Sequence, residues 1–164
     1  MNKSLLLFVM AAMTLTTWGQ QPRPDIPTTA QKKPVSPFAE YAGVWTATFD
    51  GKPWLQLTLD LRGEQLGGSL VHPRSISLND NGELKSISEE QATETIIEAT
   101  VNPDGLLITL QDHDTQETER YMMKLVQPEK DAADLKLIGQ AMPPGMPKPK
   151  PWRLAKSVSS AATR

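Results

Sequence analysis

From about residue 43 to residue 156, apolar and polar positions alternate with a period of two, which predicts short strands rather than helices. In the clearest case Leu55, Leu57, Leu59 and Leu61 alternate with Gln56, Thr58 and Asp60, so one face is wholly aliphatic and must be a core face. The strand before it sets Trp45, Ala47 and Phe49 opposite Val44, Thr46 and Thr48, and Asp50-Gly51-Lys52-Pro53 turns the chain. A third strand surrounds Leu66-Gly67-Gly68-Ser69-Leu70, where paired glycines suit a bend or a close packing contact. Pro73 interrupts, a short strand with Ile76 and Leu78 follows, and Asn81-Gly82 marks a hairpin before a strand over residues 84–87.

Residues 88–101 carry two conflicting signals. Ser88-Glu89-Glu90-Gln91 fits a helical capping box, whereas Ile97, Ala99 and Val101 alternate with Glu98 and Thr100. A strand from about Glu94 is the preferred reading, since Asn102-Pro103-Asp104-Gly105 then turns directly into Leu106, Ile108 and Leu110. After a polar turn over 112–116, Tyr121, Met123 and Leu125 share a face opposite Arg120, Met122 and Lys124. Leu135 and Leu137 mark the next strand and residues 152–156 the last.

Strands with one apolar face each, and no long amphipathic helix to cover them, must bury those faces against one another. The predicted fold is therefore all-β, a small antiparallel barrel of about eight to ten short strands spanning residues 36–156. Closure is favoured because it removes exposed strand edges. Ser36-Pro37 predicts a short helical turn at its start, with Ser36 as cap and Pro37 at the first helical position.

The flanks read differently. Lys3 followed by an apolar run from Leu5 to Leu15 and by Thr17-Trp18-Gly19 has the layout of a cleaved signal peptide over residues 1–19. The run is shorter than the roughly 20 residues of a spanning helix, so stable membrane insertion after cleavage is not expected. Pro22, Pro24, Pro27 and Pro34 make residues 20–35 a linker, and residues 157–164 a flexible tail. The expected location is secreted or periplasmic. With no cysteine in the chain, stability must come from the core alone.

Gly43-Val44-Trp45 after a short helical turn, a meander of hairpins, and a basic residue in the final strand at Arg153 resemble the lipocalin, or calycin-type, barrels. Residues 45–54 and 147–153 are also similar to small exported bacterial proteins with lipocalin-like domains. The resemblance covers roughly residues 38–156 and implies that Gly43, Trp45 and Arg153 are structural, with Trp45 at the closed end and the Arg153 guanidinium stacked over its ring. Lys150 and Lys156 are alternatives if the register of the final strand differs. The resemblance also implies binding inside the cup, where the inferred inward set is Leu55, Leu57, Leu59, Leu70, Ile97, Leu106, Ile108, Leu110, Met123 and Leu125. The domain is shorter than a full lipocalin and lacks the expected disulfides, which argues against a large cavity.

The charge of the chain narrows the partners. Lys3 is the only charged residue among the first 19, so a mature chain keeps 16 of the 17 basic residues and all 19 acidic ones, without a basic stripe. Nucleic acid is excluded as an expected partner, leaving a small apolar ligand or an envelope protein. No cofactor, metal or catalytic residue is predicted. Only His72 and His113 exist, and no Gly-x-Ser-x-Gly elbow occurs. Asp112-His113-Asp114 reads as a solvated turn, and Asn79-Asp80-Asn81-Gly82 lacks the end carboxylates of a calcium loop. Met142 and Met146, joined by Met122, are candidate soft ligands for monovalent copper, but a proline-rich loop over the barrel mouth is the preferred reading.

The leading function is an exported, non-catalytic binding or interaction module; its rival is a structural or protein-interacting envelope component with a filled barrel, and an enzyme comes a distant third. The expectation is a filled interior, with no central cavity of roughly 300 Å³ or more. Any functional surface is then expected at a rim formed by His72, the 112–116 turn and the 142–146 loop.

Overall fold

A computed structural model describes residues 35–129, 131–139 and 147–157. The expected signal peptide, most of the expected linker, the 142–146 loop and most of the expected C-terminal tail therefore lie outside the described residues. Ten strands follow in order: β1 (Gly43–Phe49), β2 (Lys52–Arg62), β3 (Gln65–Pro73), β4 (Ile76–Leu78), β5 (Leu84–Ile87), β6 (Gln91–Asn102), β7 (Gly105–Asp112), β8 (Thr118–Leu125), β9 (Ala132–Ile138) and β10 (Trp152–Lys156). Eight of them close an antiparallel barrel in the order β1-β10-β9-β8-β7-β6-β3-β2, while β4 and β5 pair only with each other. Apart from that excursion each strand lies beside its sequence neighbours, a meander that hairpin turns alone can build.

Residues 36–42 form hydrogen-bonded turns, with the Ser36 hydroxyl accepting from the Phe38 amide at 3.3 Å and the Tyr41 amide donating to the Phe38 carbonyl at 3.0 Å. They place Tyr41 under the closed end. There the Trp45 indole Nε1 donates to the Tyr41 carbonyl at 2.7 Å, and the ring is wholly buried. Residues 88–90 are not helical. The Ser88 hydroxyl instead joins the Ser75 amide to the Glu90 carbonyl, and β6 begins three residues before the predicted start.

The cation over Trp45 corrects one expectation. Arg153 pairs with Asp134 across β9 and β10, and its Nε meets the Asp134 carboxylate at 2.8 Å on the outer surface. Trp45 lies opposite Lys156, whose ammonium sits 5.0 Å from the ring centroid and also donates to the Glu40 carbonyl. With a period of two, Arg153 and Lys156 fall on opposite faces, so only one can reach the indole. Gly43 permits this crossing, because a Cβ there would lie 2.8 Å from the Lys156 Cε. Replacing Lys156 by leucine is expected to cost about 0.5–2 kcal/mol in urea unfolding. Arg153→Ala should cost less than about 1 kcal/mol, as an exposed ion pair does. The reverse order of effects would restore Arg153 to the Trp45 ring.

Leu55, Leu57, Leu59, Leu70, Leu106, Ile108, Leu110 and Met123 are all buried, joined by Tyr121, Ala133, Leu135 and Leu154. Two members of the inferred inward set differ. Ile97 is 53% exposed, because the register of β6 against β7 shifts between Ile96 and Glu98 and leaves Ile97 as an extra residue on the outer surface. Ile96 takes the buried position, and Ala99 and Val101 return to the inner face beyond the bulge. Leu125, at the end of β8, is only half-buried.

Candidate functional site

The lower half of the barrel is filled by Trp45, Leu57, Leu59, Leu106 and Met123, each at most 1% exposed. The other end is not. A cavity of about 470 Å³ opens there, lined chiefly by Trp54, Leu55, Tyr121, Leu137 and Trp152, with His72, Arg74 and Glu119 at its polar side. The expectation of no central cavity above roughly 300 Å³ concerned the interior; this space lies at the mouth, and His72 lines it as the expected rim. Leu55 alone of the inferred interior set lines it; the others pack against one another below or, in the case of Ile97, lie outside.

Local sequence features make this mouth. In β2 the register against β1 shifts between Ala47 and Thr48, so that Trp54 is inserted between the paired Pro53 and Leu55, and both Trp54 and Leu55 become buried. Two bulky side chains therefore reach the interior from adjacent positions. The Trp54 and Trp152 rings meet edge to face, with centroids 5.3 Å apart at 86°, and Tyr121 lies 6.2 Å from Trp152. Above them the β4–β5 hairpin is strapped to the segment before β10. The Lys150 amide donates to the Gly82 carbonyl at 2.9 Å and its ammonium to Glu83 at 2.8 Å. A Cβ on Gly82 would come within 2.1 Å of the Lys148 carbonyl oxygen, so glycine is needed for this approach. Pro147, Pro149, Ile76 and Leu78 thereby complete the outer wall.

The polar side comes from β3, β6 and β8. The His72 Nδ1 contacts the Pro73 carbonyl at 2.9 Å, and since a carbonyl only accepts, Nδ1 carries a proton. Its Nε2 faces the Glu94 carboxylate at 3.4 Å, and Glu94 is 4% exposed, the sole buried charged residue among those described. Burial opposes the imidazolium, but the contact and charge of Glu94, the Pro73 carbonyl and the more distant Glu119 prevail and hold His72 above the usual imidazole pKa. The contact is an ion pair without a hydrogen bond, since Nε2 is buried with no hydrogen-bond partner among the described residues. The outer oxygen of Glu94 is buried without a hydrogen-bond partner among the described residues. Beside this pair, Tyr121 donates its hydroxyl to Glu119 at 2.5 Å; burial first, then the Glu119 charge, pushes the phenol far above its ordinary range.

The rim differs from expectation in composition. His72 belongs to it, whereas the 112–116 turn contributes only through Asp114, which grips the Arg74 guanidinium from outside while Glu90 holds its Nε at 2.7 Å. Asp112 is spent on the Asp114 and Thr115 amides. Among the described residues no group of three or more acidic or histidine side chains is placed to hold a metal ion, and Met142 and Met146 lie outside those residues. A second concavity of about 740 Å³ lies where β3 and β6 part, lined by Phe38, Asp60, Arg62, Glu64 and Ile97 among others. It is larger but broad, and its charged lining offers little to enclose a ligand.

Sequence reasoning missed Trp54, Glu94, Glu119, Tyr121 and Trp152 as a group. The signal for Glu119 was present, since the Tyr121-Met123 face extended backward by one period of two reaches it. The same step from Leu70 leads inward to His72. Comparison of the chain with protein-family models, with curated proteins and with solved structures gave no match.

Proposed function

We propose that the protein is an exported, non-catalytic binding module of lipocalin-like type, and that it holds a small, largely apolar ligand in the mouth cavity. The observation that carries this reading is the 470 Å³ space walled by Trp54, Trp152, Tyr121, Leu55 and Leu137. That volume falls in the range of roughly 300–1,000 Å³ of small-molecule sites, which join apolar walls to a few placed polar groups. The closed meander and the Trp45–Lys156 contact at its far end support the lipocalin-like assignment. Binding is favoured over catalysis because the ionisable groups meet one another, His72 with Glu94 and Tyr121 with Glu119. Export rests on Lys3 and the apolar run that follows it.

Two of the cavity walls are tryptophans, so the protein carries its own reporter. Titration with uncharged N-phenyl-1-naphthylamine is expected to quench tryptophan fluorescence saturably at one molecule per chain. Leu137→Trp, which fills the cavity, should abolish the quenching. Unsaturable quenching, or quenching indifferent to Leu137→Trp in a folded variant, would remove this reading.

A further inference from the structure

The walls and the charges of the mouth cavity are of a particular combination. Trp54 and Trp152 stand at 86° to each other and Tyr121 is tilted at 42° to Trp152, so three π-systems border one space. Aromatic faces are electron-rich, and they attract a cation that has been stripped of part of its water. At the same end are the carboxylates of Glu94 and Glu119. Among the described residues each cation there lies against a carboxylate: His72 against Glu94, Arg74 between Glu90 and Asp114, and Lys150 against Glu83. A ligand anion would meet acidic oxygens and π faces. A ligand cation would meet complementary ones.

We propose that the cavity selects a ligand with a substituted ammonium head on an apolar body, the head lodged among Trp54, Trp152 and Tyr121 beside the Glu119 carboxylate. This inference rests on the reading of the cavity as a ligand site and adds the chemical class of the ligand. A quaternary or tertiary ammonium suits it better than a primary one. Its charge is spread over methyl groups that lose little hydration, and it asks for no hydrogen-bond acceptors beyond those present. The barrel already applies the same chemistry at its closed end, where the Lys156 ammonium lies over Trp45.

The test uses three probes of one shape on the mature protein: phenylbutyl-trimethylammonium, its carbon isostere with a tert-butyl group in place of trimethylammonium, and 5-phenylpentanoate. Calorimetry and tryptophan quenching are expected to rank the ammonium about tenfold or more above the isostere, with the carboxylate weakest. Glu119→Gln and Trp152→Leu should each reduce that advantage at least about threefold, whereas Asp104→Asn, in the β6–β7 turn at the other end of the barrel, should leave it intact. Equal affinity for ammonium and isostere, or tighter binding of the carboxylate, would overturn the ammonium assignment while leaving an apolar site. Failure of every probe, together with N-phenyl-1-naphthylamine, would overturn the site itself. The ranking on the unmodified protein decides the matter if either variant fails to fold.

Discussion

Trp45→Ala is expected to destabilise the barrel by about 3–5 kcal/mol, the usual cost of truncating a large buried aromatic. Trp45 has no exposed surface, anchors the 36–42 turns through its 2.7 Å hydrogen bond to the Tyr41 carbonyl, and lies on the seam where β1 meets β10. Removing it opens a cavity in the filled end and leaves the Lys156 ammonium over an empty space. Because small domains have only about 5–15 kcal/mol of total stability, this one change consumes a large share of it. Urea unfolding followed by far-ultraviolet circular dichroism measures the loss. Trp45→Phe, which keeps the ring but not the indole donor, should fall between the two. A loss below about 1 kcal/mol for the alanine variant would mean that the seam does not depend on this side chain.

The barrel was legible because period two is a direct image of strand burial. Each hairpin turn marked by glycine, proline or asparagine restarts the count, and within one strand the buried positions follow from any single anchor. Leu55, Leu57 and Leu59 in β2, and Leu106, Ile108 and Leu110 in β7, obey that rule without interruption. The rule fails where a bulge adds a residue. In β6 the extra Ile97 reverses the parity of everything before it, so a reading anchored at Ala99 and Val101 projects Ile97 inward and Glu94 outward. In β2 the extra Trp54 adds an aromatic wall that alternation assigns to solvent.

Bulges concentrate near strand ends and functional mouths, which is why the site was less legible than the fold. Its polar members also come from β3, β6 and β8, and no local motif joins residues 72, 94, 119 and 121. Their meeting is a property of barrel closure. The preference for a filled interior describes the part of the barrel around Trp45, and the mouth cavity lies beyond it, where Ile76 and Leu78 of the β4–β5 hairpin and Pro147 and Pro149 add an outer wall.

Stability should fall as pH rises through the folded titration of His72. Its pKa is raised in the folded protein, so its contribution is fully present below the unfolded imidazole value of about 6.5 and is lost as pH rises through the higher folded value. Above that point the bare Nε2 lone pair faces the Glu94 carboxylate at 3.4 Å, and two acceptors are buried together. The reverse dependence would apply to a carboxylate with a lowered pKa, which Glu83 and Asp114 illustrate, but their titration lies in the acid range. Urea midpoints between pH 6 and 9 therefore isolate the imidazole. Glu94→Gln should flatten the slope in this window, since its amide offers Nε2 a donor at every pH. His72→Ala should be far more damaging, by about 3–5 kcal/mol at pH 7, because it leaves the Glu94 charge buried without its counter-ion. A flat wild-type profile, or a His72→Ala cost below about 1 kcal/mol, would show that the His72–Glu94 ion pair does not stabilise the barrel.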